Sequence, residues 1–439
     1  MSLDTLLILV LFLGGLFFLM AIGLPVAFCF IAMSVIGAIV LWGYESGIIV
    51  VIRNLYDSIS KFFILPICMF MLMGQIMFRT GMGQKMLDVM DKWMGKLPGR
   101  LALLSVAFST LFSTMSGSQM ASASMMGTLL IPEMQKRGYA KPMTIGPIMG
   151  AGGLAMIIPP SALAVLLGAI SGISIGRLLI GGLIPGLIMA SLYASYIVMR
   201  CIVQPSVAPA YDLKPTPLKK KLLDTLYYVL PLGLIVFLVL ACIFLGWTTP
   251  TESAVLGVAG SLFLAACYRK LTIKIVKESF VSTIQISAAI LMILAGAITF
   301  GQILAFAGIT RGLASYVCFL QVPPIMIVIL MQISLLFLGT FMDVGAMAMV
   351  TMPIFMPIIH ALGIDPVWFG ILVLLNMEMA SITPPIGMML FVMRGVCPPG
   401  TTMGDVYKSS LPFLMCDLVA MALIMIFPIL TLWLPGMMV

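Results

Sequence analysis

Two adjacent prolines interrupt an otherwise apolar stretch, "AMIIPPSALAV" at residues 155–165, and do so again in "ASITPPIGMML" at 380–390. Proline has no N–H to donate and its ring clashes with the preceding turn, a cost of about 3 kcal/mol inside a helix. Hydrocarbon surroundings make this worse, because no water is present to take up the carbonyls set free. The rest of the chain says that the surroundings are hydrocarbon. Of its 439 residues, 62% are hydrophobic and 9% charged, where soluble domains carry about 25% charged residues. Apolar runs such as "LLILVLFLGGLFFLMAIGL" and "LGLIVFLVLACIFLGW" approach the roughly 20 residues of a spanning helix, whereas barrel strands alternate over about ten. The fold class is therefore an all-α integral membrane protein. The first apolar segment is longer than a signal-peptide core and lacks a basic leader, so it reads as a retained helix.

The two breaks belong to a repeat. Pro159-Pro160 and Pro384-Pro385 lie 225 residues apart, and so do Pro132 and Pro357, Gly138 and Gly363, and Pro98 and Pro323. Each copy reads as an arm, a hairpin interrupted near its middle, a return past a Pro and a Gly, and a helix broken at Pro-Pro. The tip of the first hairpin, "STMSGSQMASAS", is rich in small hydroxyl residues; the second carries a lone acid, Asp343. At the 225 spacing, Ser116-Gly117-Ser118 aligns with Phe341-Met342-Asp343. Hairpin arms of about 15 residues are too short to cross comfortably, so both hairpins read as re-entrant.

Predicted crossings lie near 4–22, 26–42 and 62–80, then a hairpin at 101–134 and a broken helix at 142–171. Helices near 177–200, 226–247, 250–267 and 284–304 follow. A second hairpin at 325–360, a broken helix at 366–397 and a last helix near 411–436 complete the path. Tracing it places the connections 79–100, 135–141, 200–221, 268–278 and 394–408 on one side, with 19 of the 23 Lys and Arg. Arg53, Lys61, Arg177 and Arg311 fall opposite. The basic side is cytoplasmic by the positive-inside rule, and the two hairpins then enter from opposite faces, so the repeats are inverted. Trp42, Trp247, Trp368 and Trp433 fall near the outer interface. Topology thus accounts for the net charge of +8 without a nucleic-acid partner.

Inverted repeats with broken helices are the architecture of secondary transporters. The freed carbonyls, together with the Ser116 and Ser118 hydroxyls, would form an oxygen cage suited to a hard monovalent cation. The expected organisation is N-terminal scaffold and arm at 1–61, a first transport repeat at 62–175, scaffold helices with cytoplasmic loops at 176–283, a second repeat at 284–400, and a C-terminal scaffold helix at 401–439.

At "SGSQMASAS", "IPEMQKRGY", "IIPPS", "TTPTESAVLG" and "GIDPVWFGILVLLNMEMASITPPIG", the chain resembles the large membrane subunit of the tripartite ATP-independent periplasmic (TRAP) transporters, of the dicarboxylate/sialic acid permease type. The resemblance covers essentially the whole chain. It implies an inverted-repeat elevator transporter of the bacterial inner membrane that imports a small organic anion with sodium. It also implies a small four-helix membrane subunit, expected here as a separate chain, and a periplasmic substrate-binding protein. Carried over, one sodium site takes Ser116 and Ser118 with backbone oxygens of Ala155, Ile158 and Pro160. A second takes Gly339, Asp343, Thr383 and Ile386. Substrate candidates are Ser118, Ser161, Asp343 and Gly387; no cofactor is expected beyond sodium as the coupling ion. The competing readings are a stand-alone ion-coupled anion permease and a non-transporting subunit of a membrane complex.

Other residues have plainer readings. Asp343 is expected in the ion or substrate site rather than as an interfacial cap, since a buried carboxylate is expensive unless used. Glu378 reads as a hydrogen-bond partner of the second break. Ser161 either caps the second half-helix or touches a substrate oxygen. Thr249, Pro250 and Glu252 spell a helix start, and "KPTPLKKKLLD" reads as a solvated loop. His360, the only histidine, leaves no triad or zinc site, and the eight scattered cysteines and 40 methionines read as packing. The segment 83–97 reads as an amphipathic surface helix with Met86, Met90, Trp93 and Leu97 on its apolar face. None of these residues points to an enzyme, and no nucleotide-binding domain supports an ATP-driven pump.

Overall fold

The computed structural model describes residues 3–60, 65–95, 97–116, 119–209, 217–319 and 322–438, among which no strand occurs. Three helices open the chain: α1 (Leu3–Ala21), α2 (Val26–Trp42) and α3 (Tyr44–Ile59). The first repeat follows as α4 (Leu65–Arg79), α5 (Met82–Trp93), α6 (Arg100–Ser116), α7 (Gln119–Lys136), α8 (Lys141–Ile157) and α9 (Ala162–Ser171), then α10 (Ile175–Gly181) and α11 (Leu183–Val203). A connecting run, α12 (Leu218–Asp224), passes through a π turn into α13 (Leu230–Phe244), and α14 (Pro250–Cys267) returns. The second repeat is α15 (Ile273–Phe306), α16 (Ile309–Phe319), α17 (Pro324–Gly339), α18 (Val344–Ala361), α19 (Pro366–Ile382) and α20 (Met388–Val396), closed by α21 (Met403–Ile426) and α22 (Ile429–Gly436).

The 225 spacing holds at the level of whole elements. Shifted by it, the bounds of α7 become those of α18, and the bounds of α8 become those of α19. Gly138 and Gly363 close equivalent turns with φ of 76° and 66°, a left-handed conformation that glycine adopts without Cβ strain. Both Pro-Pro bonds are cis. The second half of each pair begins a new helix, α9 or α20, and α8 and α9 meet at 46°.

Among the described residues, six helices are long and apolar enough to cross a bilayer, or up to eight if each bent pair counts as one span. The molecule is built around α8 and α19. Every residue from Met143 to Ile157, and from Val367 to Ile382, is buried; helices apolar on all faces belong inside. Glycines allow the close approach: a Cβ at Gly146 or Gly150 of α8 would lie within 2.7 Å of Phe413 of α21.

Several boundaries differ from those expected. α15 begins at Ile273 rather than near 284, because Thr272 accepts the Ile275 N–H (3.2 Å) as an N-cap. The lysines at 274 and 277 therefore ride on its first turns. Leu218 to Asp224 of the expected lysine-rich loop are helical, and Pro217 precedes them. The last helix is two: α21 opens at a capping box, Thr402 and Asp405, and stops before Pro428. The hairpin arms run to 16–18 residues rather than about 15. α5 is amphipathic as read, but its buried face is Met82, Met86, Leu87 and Val89. Trp93 is exposed and donates from its indole to Thr225 (2.7 Å), while Lys92 pairs with Asp224 (2.7 Å), tying α5 to the connecting run.

Candidate transport site

Proline arithmetic sets the chemistry of each break. In a continuous helix residue 159 would donate to the carbonyl of Ala155, and residue 160 to that of Met156; prolines do neither. The Met156 carbonyl is claimed by the Ser161 hydroxyl at 2.7 Å, whereas Ala155 lies buried at the break with its carbonyl released. Ser161 also accepts the Ala164 N–H (3.2 Å), so its hydroxyl caps α9. Of its two possible roles, the geometry shows the cap. Ile158, at φ −76° and ψ 120°, leaves the helix, and its N–H closes onto Leu154.

The second break repeats this plan. Pro384 and Pro385 release the carbonyls of Ala380 and Ser381. Ala380 is taken up by the Thr383 N–H at 3.3 Å, and the Gly387 N–H closes onto Thr383 at 3.2 Å. A Cβ built on Gly387 would stand 2.4 Å from the Ser381 oxygen and 2.9 Å from the Thr383 oxygen. Two backbone oxygens thus converge on space that only glycine leaves open. Thr383 adds a hydroxyl, which donates to the Met379 carbonyl (2.6 Å) and keeps its lone pairs. Ile386 is exposed beside them.

Asp343 is not the buried carboxylate expected. It is exposed and caps α18, with Oδ2 accepting the Gly345 and Ala346 N–H groups at 2.9 and 3.2 Å. Gly339, one turn before it, is buried so tightly that a Cβ would lie 2.5 Å from the Ala380 side chain. That contact locks the second hairpin to the second broken helix. Gly117, Ser118 and the Ser116 side chain lie outside the described residues.

Between the two hairpin tips, beside the first break, is a cavity of about 250 Å³. Gln119, Asp343 and Gln75 give it polar walls; Met120, Met156 and Ile290 give it apolar ones. A larger cavity, about 470 Å³, lies near Thr248, Pro250 and Gly176 and touches neither break. The smaller one is the candidate site, because it borders both hairpins. Its size suits a small solute rather than a drug-sized ligand.

Gln119 was not singled out from sequence. Its amide donates to Glu378 (3.1 Å) and Ser381 (2.7 Å) and so ties the first hairpin tip to the second broken helix. Glu378 is thus a hydrogen-bond partner near the break, as read. It lies on the bare backbone of Gly153, where any Cβ would overlap its carboxylate. Asp417, inside α21, was also missed; it is fully buried and accepts the Tyr193 hydroxyl. A lone acid in the apolar run 411–426 was the available signal.

The fold resembles that of solved transporters. The Alcanivorax borkumensis YdaH transporter superposes with a TM-score of 0.66 over 89% of this chain and 88% of that one, at 14% identity. In sequence, the chain is 32% identical to the C4-dicarboxylate TRAP transporter large permease protein of Pseudomonas aeruginosa, over 87% of this chain and 88% of the relative. It is 30% identical to the sialic acid TRAP transporter large permease protein of Vibrio cholerae, over 94% and 95%. The isethionate TRAP transporter permease protein DctMQ of Oleidesulfovibrio alaskensis is 29% identical over 86% of this chain but only 59% of its own length. Residues 13–430 match the family model of the tripartite ATP-independent periplasmic transporter, DctM component. With that match and these relatives, the chain belongs to the DctM family, as the large multi-pass membrane permease of a TRAP transporter.

Proposed function

We propose that this permease imports a small organic anion by coupling it to sodium, with the two Pro-Pro breaks as ion sites and the cavity between the hairpin tips as the substrate site. The observation that carries this reading is the convergence of the Ser381 and Thr383 carbonyl oxygens at Gly387. Hard monovalent cations are held by backbone and hydroxyl oxygens of this kind, at unwound helix ends. The first break supplies the Ala155 carbonyl for a matching site, completed by Ile158 and Pro160 and by Ser116 and Ser118 at the hairpin tip. Asp343, Gly339, Thr383 and Ile386 serve the second site. Asp343, Gly387 and the hydroxyls at the first tip orient substrate, whereas the Ser161 hydroxyl is given over to the cap.

The mobile unit is the pair of hairpins with α8, α9, α19 and α20. The packing of Phe413 on Gly146 and Gly150 favours counting α21, and α11 beside it, with that unit rather than with the scaffold. It moves as an elevator against a scaffold containing α2 and α14; the packing of α4 on α14, and of α15 on α2 and α4, favours counting α4 and α15 with the scaffold rather than with the transport repeats at 62–175 and 284–400. TRAP relatives are named for dicarboxylates, sialic acid and isethionate, so the substrate class is a carboxylate or sulfonate, delivered by a periplasmic binding protein. The longer DctMQ relative supports a small membrane subunit as a further partner in the inner membrane. Uptake into proteoliposomes containing both membrane subunits and the binding protein, across a panel of carboxylates and sulfonates, tests this. Accumulation should require sodium; undiminished uptake with choline in its place would refute the coupling.

A further inference from the structure

Two carboxylates sit within the packed centre, and the transport reading assigns them nothing. Glu378 of α19 and Asp417 of α21 are both fully buried. Each has one oxygen engaged and one without a partner. Glu378 Oε2 accepts from Gln119 and Asp417 Oδ1 from Tyr193, while Oε1 and Oδ2 accept from nothing. Their helices α19 and α21 pack on each other, and both pack on α8.

Among the described residues neither carboxylate has a cationic partner. The charged groups of the surrounding helices stand near their ends: Glu133 and Lys136 on α7, Lys141 on α8, Arg177 on α10 and Arg200 on α11. The same holds for Asp343 and His360 at the two ends of α18, Asp365 before α19, Arg394 on α20, and Asp405 and Lys408 on α21; all are exposed or half-buried. Toward the pair itself face Tyr193 and, beside Asp417, Cys416. Two uncompensated charges at this depth are costly. A divalent metal ion is a poor answer, since calcium and magnesium take six or more oxygens and no group of three acidic, histidine or cysteine ligands occurs among the described residues. A proton needs one oxygen.

We infer that Glu378 and Asp417 hold one exchangeable proton between them, taken from water and returned to it, and that its binding is linked through Gln119 to ion occupancy at the first break. Gln119 lines the cavity beside that break and is a hydrogen-bond donor to Glu378. Hydrogen bonding to the charged form favours it. A cation that holds Gln119 in place therefore favours the carboxylate and releases the proton, and by reciprocity protons weaken the cation. The linkage rests on the sodium reading above; the proton site does not.

The test uses the complete transporter in liposomes, with sodium and protons as the only probes. Infrared difference spectra are taken on adding sodium chloride or choline chloride, in water and in deuterium oxide. The expected result is a deuterium-sensitive carboxylic C=O band in the unmodified chain that sodium removes and choline does not. The sodium concentration for half-response should rise up to about tenfold for each unit of pH lowered. Glu378→Gln should abolish both the band and the pH dependence, Glu378→Asp should restore the band, and Gln119→Ala should keep the band but make it indifferent to sodium. Asp417→Asn, as an independent variant, should shift the band. A chain without such a band, or a band that survives in both Glu378→Gln and Asp417→Asn, overturns the proton site. A sodium half-response that ignores pH overturns the linkage. Sodium-driven uptake with no carboxylic band would leave the transport reading standing while this inference fell.

Discussion

Replacing Gly387 by alanine probes the second break directly. The backbone there, φ −48° and ψ 123°, is open to any residue, so the substitution carries no conformational penalty and acts by sterics alone. The new Cβ would stand 2.4 Å from the Ser381 oxygen, inside the 3.0 Å that Cβ contacts respect, so that carbonyl must retreat by roughly 0.6 Å. Overpacking of this kind costs about 1–3 kcal/mol. Because Ser381 is the carbonyl that Pro385 sets free, the cost falls on the ion-bound arrangement, and sodium affinity should weaken by about 5–150-fold. Thermal unfolding of the purified complex in rising sodium, with choline holding ionic strength constant, reads this out. At a hundred times its dissociation constant sodium adds about 2.7 kcal/mol, and a tenfold weaker variant loses about half of that. Gly395→Ala is the control: it lies on the same helix with nothing within 4 Å of its Cβ, and should leave the sodium response alone. A Gly387→Ala variant with an unchanged sodium half-saturation would refute the placement of an ion at these oxygens.

Thr383→Ala removes a hydroxyl from the same break and should raise the sodium needed for half-maximal uptake, with little effect on stability in sodium-free buffer. Arg100 is buried at 3% exposure and donates to the Asp91 carboxylate (3.0 Å) and the Gly95 carbonyl (3.0 Å). Arg100→Ala should therefore lower stability by about 2 kcal/mol or more, and Arg100→Lys should not restore it, since one ammonium cannot replace the fork. Thr249 and Glu252 form the capping box of α14; Thr249→Ala should cost about 1 kcal/mol in unfolding measurements. Single cysteines at Lys219 and Lys274 should be labelled only from the cytoplasm and one at Arg311 only from outside, and labelling of Lys219 and Arg311 from one side would end the inverted-repeat reading.

The repeat was readable because proline and glycine mark backbone events wherever they stand: Pro159-Pro160 and Pro384-Pro385 placed both breaks, and the 225 spacing carried α7 and α8 onto α18 and α19. Helix ends were harder. Apolarity reports where lipid stops, not where hydrogen bonding stops, so Lys274 and Lys277 looked like loop although Thr272 had already capped a helix. Asp343 misled for a related reason. Its apolar neighbours suggest depth, yet a hairpin tip turns its own residues outward and leaves the acid free to cap. The Gln119–Glu378 bond joins residues 259 apart. No local pattern encodes such a pair, because its geometry is settled only when α7 has packed across α8 onto α19.

The packing of Glu378 on Gly153 bears on how such a chain could have arisen. The two positions are 225 apart, so each is the other's counterpart, and they meet where α8 crosses α19. In a symmetric dimer of identical half-chains, the same residue would face itself at this point. Two glycines would fit there, whereas two glutamates could fit only by moving aside, since a methyl group opposite the carboxylate would overlap its present position. Only once the halves were joined and free to differ could one side become bare and the other acidic. If the halves arose by duplication, this crossing places Glu378 after it. An ancestral half-chain rebuilt with glutamate at this position should fail to pair with itself, while one with glycine should dimerise.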